Sequence, residues 1–207
     1  PVRMSPVRLV ILVCTAQVLV QIGSNTWPAL LPSLATEWQL TNSEAGWITG
    51  LMYLAYTISV PMLVTSTDRI DPKRIYLLGV GLTFVGHLGF ALFAEGFWTA
   101  ALFRAITGIG WAGTYMTGLK LLADRVDGRL LSRATAGHAG SIGISAGISF
   151  VFADALAAWG GWPAAFIASA GCAALAWCIA LVGAPNQEPK PRTAAKREIV
   201  KAVLFCD

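Results

Sequence analysis

One basic side chain, Arg104, lies inside an apolar stretch of the sequence rather than at its edge. A charge at the centre of a membrane-crossing helix costs roughly 2.5–3.5 kcal/mol on insertion scales, and less toward the helix ends. Arg104 stands six residues after Trp98, where its stretch begins, which is about 9 Å along a helix axis. Three roles fit an arginine at that depth: contact with an anion or substrate, proton coupling, or a structural ion pair.

A partner for such an ion pair is present in the sequence. Asp154 is the acidic residue that lies within another apolar stretch, four residues from the end of that stretch. The two residues then lie at similar depths in a membrane. Arg104 and Asp154 are therefore predicted as a candidate buried ion pair.

Three amide side chains recur every four residues, at Gln17, Gln21 and Asn25. That spacing places them on one face of a helix, with Gln21 near the middle of its stretch. Amides offer both donors and acceptors, so they predict a face that lines a polar cavity. The alternative is that they hydrogen-bond to neighbouring helices and only hold a bundle together. Pro28 is expected to bend the helix just beyond Asn25.

Other polar and small residues also recur at helical spacing. Gly108, Trp111 and Tyr115 share the face of Arg104, and Trp111 and Tyr115 extend the candidate cavity. Small residues indicate close packing of helices. This interpretation applies to a serine face of the fifth stretch with its interleaved glycines, and to two glycines of the second stretch: Ser141, Ser145, Ser149, Gly137, Gly140, Gly143 and Gly147, and Gly46 and Gly50. Neither histidine, His87 or His138, is assigned a role, because a single buried histidine usually bonds to a neighbouring helix.

Six apolar stretches must position these side chains. They are residues 9–31, 45–66, 75–94, 98–122, 134–158 and 162–184. Each has about twenty residues or more, enough for a helix to cross a hydrocarbon core of ~30 Å. The chain is 56% hydrophobic and 13% charged, which excludes a water-soluble surface. The predicted fold class is therefore an all-α membrane protein with six transmembrane helices.

The basic residues predict how these helices are threaded. Fourteen of the fifteen Lys and Arg residues belong to the gap before the first stretch or to the gaps after the second, fourth and sixth; the remaining one is Arg104. Basic loops stay cytoplasmic because Lys and Arg resist translocation. Both ends of this chain are thus predicted to be cytoplasmic, in a plasma (inner) membrane. No nucleic-acid partner is expected, because these cations sit at helix ends beside lipid headgroups.

Two of the basic gaps mix acids and bases within a few residues. The charged residues are Asp68, Arg69, Lys73, Arg74, Asp124 and Arg125. Such crowding predicts a charge network that ties helix ends together on the cytoplasmic side and rearranges as helices rock. The alternative is ordinary solvated loop charge, which would contribute little.

Three local patterns, in this order along the chain, resemble a known family. Asp68-Arg69 with Lys73 and Arg74 resembles the Gly-x-x-x-Asp-Arg-x-Gly-Arg-Arg signature of the major facilitator superfamily, between its second and third helices. The chain departs from that signature at three positions: Val64, Asp71 and Pro72. Arg104-x-x-x-Gly108-x-Gly110 resembles the family's fourth-helix pattern, and Gly161-Trp162-x-x-Ala165-Phe166 resembles the entry to its sixth helix.

The resemblance covers essentially the whole chain and is to the N-terminal six-helix half of such a transporter. It implies a secondary active transporter that works by alternating access, with the other half supplied by further sequence or by a second chain. Residues 185–207 are interpreted as a central cytoplasmic linker and the start of a seventh helix, since residues 199–205 turn apolar again. A finished six-span protein with a basic tail is the alternative.

Two other classes of six-span membrane protein are an intramembrane protease and an interaction or sensor protein. A rhomboid-type protease needs Gly-x-Ser-Gly, whereas this chain has Gly140-Ser141-Ile142-Gly143 and no histidine in its last stretch, so no enzyme is predicted. A six-span interaction or sensor protein without transport remains the alternative. No metal or cofactor is expected, and coupling to protons or another ion stays open. The expected solute is small and polar or anionic.

Overall fold

The structure, a computed structural model, describes residues 5–184 and 186. Residues 5–184 form helices and short connections, without a strand. The helices are α1 (Pro6–Gln21), α2 (Thr26–Glu37), α3 (Asn42–Ser66), α4 (Pro72–Phe93), α5 (Phe97–Ala123) and α6 (Gly128–Gly183). The predicted seventh helix and all of the predicted linker except Asn186 lie outside the described residues, as do the cations predicted there.

Helices α3, α4 and α5 match the second, third and fourth predicted stretches to within three residues at each end. Local hydrogen bonds define where two of them begin. At the start of α3 the Thr41 hydroxyl accepts from the Glu44 N–H at 3.2 Å, and the Glu44 carboxylate accepts from the Thr41 N–H at 2.8 Å. Helix α4 begins at Pro72 because proline fits a first turn, and Asp71 caps it by accepting from the Lys73 N–H at 2.9 Å.

The first crossing is split, which differs from the continuous helix predicted over 9–31. Residues 22–25 form turns, and the Ser24 N–H donates to the Gln21 carbonyl at 2.9 Å. Helix α2 then begins at Thr26, with Pro28 in its first turn, where the missing N–H is not needed. The bend therefore precedes Pro28 instead of following it. Together Pro6–Glu37 is a 32-residue segment, long and apolar enough to cross a membrane.

Helix α6 joins the fifth and sixth predicted crossings across a kink. Gly160 and Gly161 have non-helical backbone angles within its 56 residues. Gly161 has φ of 75°, a conformation that favours glycine because it lacks Cβ. Residues 128–159 are called the first arm and residues 162–183 the second arm. The six predicted crossings thus correspond to six described helices, with the first crossing split and the last two joined.

Helix α5 is the central element of the bundle, in contact with α1, α3, α4 and α6. Four segments are long and apolar enough to span a membrane: Pro6–Glu37, Asn42–Ser66, Pro72–Phe93 and Gly128–Gly183. Helix α5 has the length, at 27 residues, but a lower mean hydropathy, because it carries Arg104, Lys120 and several threonines and glycines. Helix α3 is the opposite case, with only 11% of its most apolar window buried.

Glycines make close helix crossings in two places. At Gly108 of α5, which the sequence singled out, an added Cβ would overlap the Met52 carbonyl oxygen of α3. Gly79 of α4 meets the backbone of Gly110 and Gly113 of α5, where an added Cβ would lie 2.7 Å from main-chain atoms. Five other glycines that the sequence singled out have no packing partner among the described residues, because an added Cβ would meet nothing within 4 Å there: Gly46, Gly50, Gly140, Gly143 and Gly147. Small residues spread evenly around a helix do not indicate which of its faces contacts a neighbouring helix.

Candidate functional site

Arg104 is held deep between helices, with 2% of its surface exposed. One of its terminal nitrogens, Nη1, donates to the Ser24 carbonyl oxygen at 3.5 Å, a long hydrogen bond. Its Nε is buried and has no hydrogen-bond partner among the described residues. The guanidinium therefore reaches the turn between α1 and α2 and keeps unused donor capacity there.

The predicted ion pair between Arg104 and Asp154 is wrong. Asp154 is exposed, and no ion pair joins it to Arg104 within residues 5–184. The buried face of the first arm carries Ser141, Ser145, Ser149 and Ala153. Asp154 directly follows Ala153, and successive residues of a helix are rotated by about 100°, so Asp154 lies off that face. Similar depth in the membrane does not imply a shared face.

Trp111 forms an aromatic corner between α5 and α3. Its ring centroid lies 6.4 Å from that of Tyr53 and 5.7 Å from that of Tyr56. The indole N–H of Trp111 is buried without a hydrogen-bond partner in the described part of the chain. Tyr53 is half exposed, so this corner opens on the sparsely covered side of α3.

Tyr115 contacts the first arm of α6 through His138. The two rings stack with centroids 5.3 Å apart, and His138 Nε2 lies 3.0 Å from the Tyr115 carbonyl oxygen. A carbonyl can only accept, so Nε2 carries the proton and donates. His138 is fully buried and joins α5 to the first arm.

The three predicted amides do not form one continuous helical face. Gln17 and Gln21 lie in α1, at most 1% exposed, and their amide atoms have no partner among the described residues. Asn25 lies beyond the end of α1, in the turn, where its backbone N–H donates to the Ser149 hydroxyl at 3.2 Å. The four-residue spacing does not reveal that the helix ends at Gln21.

The serine face of the first arm packs against the first crossing, as predicted. Besides the contact between Ser149 and Asn25, the Ser145 hydroxyl donates to the Val18 carbonyl at 3.2 Å. Ser141, Ser145 and Ser149 are all at most 1% exposed. Helices α1 and α6 are thus joined by side-chain to main-chain hydrogen bonds, and the serines rather than the glycines occupy the contact.

His87 and Gly23 were not singled out by the sequence, yet they meet at the turn between α1 and α2. A Cβ added at Gly23 would overlap the His87 ring and approach the Ser169 Cβ to 2.7 Å. His87 is 1% exposed, and its Nε2 has no partner within residues 5–184. The signal for this turn was present, since Gly23-Ser24-Asn25 before a proline is a typical turn composition.

Two of the predicted cytoplasmic charges, Lys73 and Arg125, bind near the end of the second arm. Lys73 donates from Nζ to the Leu181 carbonyl at 2.8 Å, and Arg125 donates to the Asn186 carbonyl at 2.8 Å. Asp124 forms an ion pair with Lys120 of its own helix at 3.7 Å. Asp68 is half-buried, whereas Arg69 and Arg74 are exposed at the same loop. Lys73 and Arg125, from two different loops, thus bind main-chain carbonyls near one helix end.

A family comparison covers nearly the whole chain. The sequence matches the Major Facilitator Superfamily over residues 13–205. The chain belongs to that superfamily. The structure agrees, because it superposes on the POT family transporter PepTSo with a TM-score of 0.75 at 15% identity, covering 99% of this chain and 43% of that one. A peptide transporter POT in complex with alafosfalin gives a TM-score of 0.73 at 15% identity, covering 94% and 43%. At such identity the likeness shows the fold alone.

Relatives of this superfamily member are named transporters. The MFS-type transporter YwoD of Bacillus subtilis (strain 168), itself uncharacterized, is 27% identical over 183 residues, which are 86% of this chain and 39% of YwoD. A probable 4-methylmuconolactone transporter of Cupriavidus pinatubonensis is 28% identical over 131 residues, covering 63% of this chain and 30% of the relative. The chain spans well under half the length of these relatives. The recognition of a multi-pass membrane protein with the superfamily fold is thereby confirmed.

Proposed function

We propose that this chain forms the first half of a secondary active transporter that moves a small polar or anionic solute by alternating access. The observation that carries the proposal is the buried guanidinium of Arg104, on the same helix as Trp111 and Tyr115, without an acidic partner in residues 5–184. Leaving a buried charge uncompensated is costly. A solute that brings oxygen atoms to Arg104 would offset that cost.

The proposed cavity is lined by the residues that the sequence pointed to: Gln17, Gln21, Asn25, Arg104, Trp111 and Tyr115. The unpartnered amides of Gln17 and Gln21 support this assignment, because a buried polar group without a hydrogen bond costs about 1–3 kcal/mol. A polar solute, or water in a cavity, would satisfy them.

A second six-helix half is the proposed partner, supplied by further sequence or by another chain. Alternating access needs two halves that rock around a site between them. The sparse coverage of α3 and the open glycines of the first arm support this, because they leave two helical faces that another helical surface can approach closely. The lipid bilayer covers the remaining exposed apolar surface.

The gate is proposed at the end of the bundle where Lys73 and Arg125 hold carbonyls of the second arm, with Asp68, Arg69, Arg74 and Asp124 nearby in sequence. These contacts would break and reform as the halves rock. In this proposal the protein lies in the plasma membrane with both ends of this chain cytoplasmic. Transport is coupled to protons or to another ion.

The test uses the natural full-length protein in proteoliposomes, with a solute screen run with and without a proton gradient. 4-Methylmuconolactone belongs in that screen because a relative is named a probable transporter of it. We expect at least one solute to be transported, and Arg104→Lys and Arg104→Ala to abolish its uptake at unchanged expression. Arg129→Ala is the control, because Arg129 is an exposed arginine.

Two outcomes would contradict the proposal. If no solute crosses the membrane under any gradient, the six-span interaction or sensor function is favoured instead. If Arg104→Ala transports as well as the parent protein, Arg104 is structural and the cavity assignment fails.

A further inference from the structure

The turn at residues 22–25 divides the first crossing near its middle, since α1 has 16 residues and α2 has 12. Two helix ends therefore meet inside the bundle. Helix α2 begins there without a side-chain cap. The N-terminus of a helix carries a partial positive charge, so it attracts anions. At α2 this potential is the main contribution, because the Thr26 N–H donates to the Gly23 carbonyl at 3.3 Å and Pro28 has no N–H.

Two buried nitrogen-bearing side chains converge on this turn from different helices. Arg104 of α5 reaches the Ser24 carbonyl at 3.5 Å, and its Nε has no partner in the described part of the chain. His87 of α4 presses its Nε2 edge onto Gly23, the preceding residue, and that Nε2 is also unpartnered there. Both side chains are at most 2% exposed.

The charge balance at the turn is positive. Arg104 contributes a full positive charge, the start of α2 adds a partial one, and no carboxylate pairs with Arg104 within residues 5–184. Arg104 and His87, each with an unpartnered buried nitrogen, lie beside consecutive residues of the turn, Ser24 and Gly23. Arg104 Nε can only donate, and His87 Nε2 donates in the tautomer that carries its proton there, so the pair suits an anion that the bundle does not itself supply.

We infer that the turn between α1 and α2 is the anchor site for the carboxylate of a small monoanionic solute. The guanidinium of Arg104 binds the carboxylate, His87 donates from Nε2, and the start of α2 supplies the remaining positive potential. A carboxylate fits better than a dianion such as phosphate, because one guanidinium offers one planar pair of donors and one positive charge. This inference rests on the proposed transport function and names the solute class for it.

Gly23 sets the geometry of this anchor site. The His87 ring occupies the space that any larger residue would need at position 23, and the Ser169 Cβ lies 2.7 Å from the same point. Gly23→Ala would therefore push His87 away from the turn. It is expected to weaken carboxylate binding without removing either donor group.

The binding test uses the natural full-length protein in detergent with sodium benzoate and benzamide as probes. The two have nearly the same shape and differ in charge. Isothermal titration calorimetry is expected to give benzoate at least tenfold lower Kd than benzamide. Arg104→Gln should reduce benzoate affinity to that of benzamide, and His87→Phe should weaken benzoate about tenfold, since a hydrogen bond to a charged group is lost.

The control variant, Arg129→Gln, removes an exposed arginine and should leave the affinities for benzoate and benzamide unchanged. Equal Kd values for benzoate and benzamide, or benzoate binding retained in Arg104→Gln, would overturn the inference. The inference would also be overturned if inorganic phosphate displaced benzoate at a concentration below the Kd of benzoate. If Arg104→Gln does not purify as a folded protein, the inference is tested by the benzoate affinity of His87→Phe and by the ratio of the benzoate and benzamide Kd values in the parent protein.

The inference and the proposed function fail in different ways. A transported solute together with equal binding of benzoate and benzamide overturns only the carboxylate site. Charge-selective benzoate binding in a protein that transports nothing would support the site and refute the transport function.

Discussion

The crossing of α4 and α5 depends on glycine at position 79. A Cβ added there would lie 2.7 Å from the Gly110 carbonyl oxygen and 2.8 Å from the Gly113 Cα. Ordinary contact begins at 3.4 Å, so the helices must separate by about 0.7 Å, because neither backbone can rotate away as a side chain can. Overpacking of this kind costs about 1–3 kcal/mol, and the better helix propensity of alanine returns at most ~1 kcal/mol.

Gly79→Ala is therefore expected to lower the free energy of unfolding by roughly 1–2 kcal/mol. Gly81→Ala is the matched control in the same helix, because a Cβ at Gly81 meets nothing within 4 Å. The assay is thermal unfolding of the full-length protein in detergent, followed by size-exclusion chromatography after heating. At about 2–4 °C per kcal/mol, Gly79→Ala should lose several degrees of Tm. Gly81→Ala should lose none, and it gains up to ~1 kcal/mol from the helix propensity of alanine. Equal Tm values for the two variants would refute the packing argument.

Three further predictions use the same thermal assay. Asp154→Asn should leave Tm and transport unchanged, because Asp154 is exposed and unpaired with Arg104; a loss of several degrees would restore a structural role. Thr41→Ala should cost about 1 kcal/mol by removing the cap of α3, and an unchanged Tm would show that neighbouring helices, rather than the cap, hold that end. Ser145→Val should lower Tm, because the hydroxyl bonded to Val18 is buried, whereas Gly171→Ala, on the second arm, has open space and should not lower Tm; the reverse order would contradict the described packing of the serine face.

The helices could be predicted from the sequence with good bounds because a bilayer leaves the backbone few choices. Every main-chain N–H and C=O in hydrocarbon must bond internally, so a long apolar stretch between polar loops becomes a helix. The start of α3 follows from Thr41 and Glu44, and the kink of α6 follows from Gly160 and Gly161. All of these signals are local, and local signals can be read along the chain.

The candidate site was predicted less completely because its contacts join distant residues. Arg104 was recognised as the exceptional charge, but its neighbours at the turn, Ser24 and His87, lie 80 and 17 residues away in sequence. Asp154 is predicted as the partner of Arg104 from its membrane depth alone, and depth does not specify at which angle around the helix a residue lies. Open glycines and packed glycines look alike in the sequence for the same reason.

The sequence by itself determined that this protein is a helical membrane bundle of the major facilitator type, because hydropathy, basic loops and short motifs are local properties of the chain. Only the tertiary structure decided which side chains meet: that Arg104 faces the turn between α1 and α2 instead of Asp154, that His87 packs on Gly23, and that Gly79 sets the distance between α4 and α5. Those contacts depend on helix rotation and spacing, which arise when all the helices pack at once.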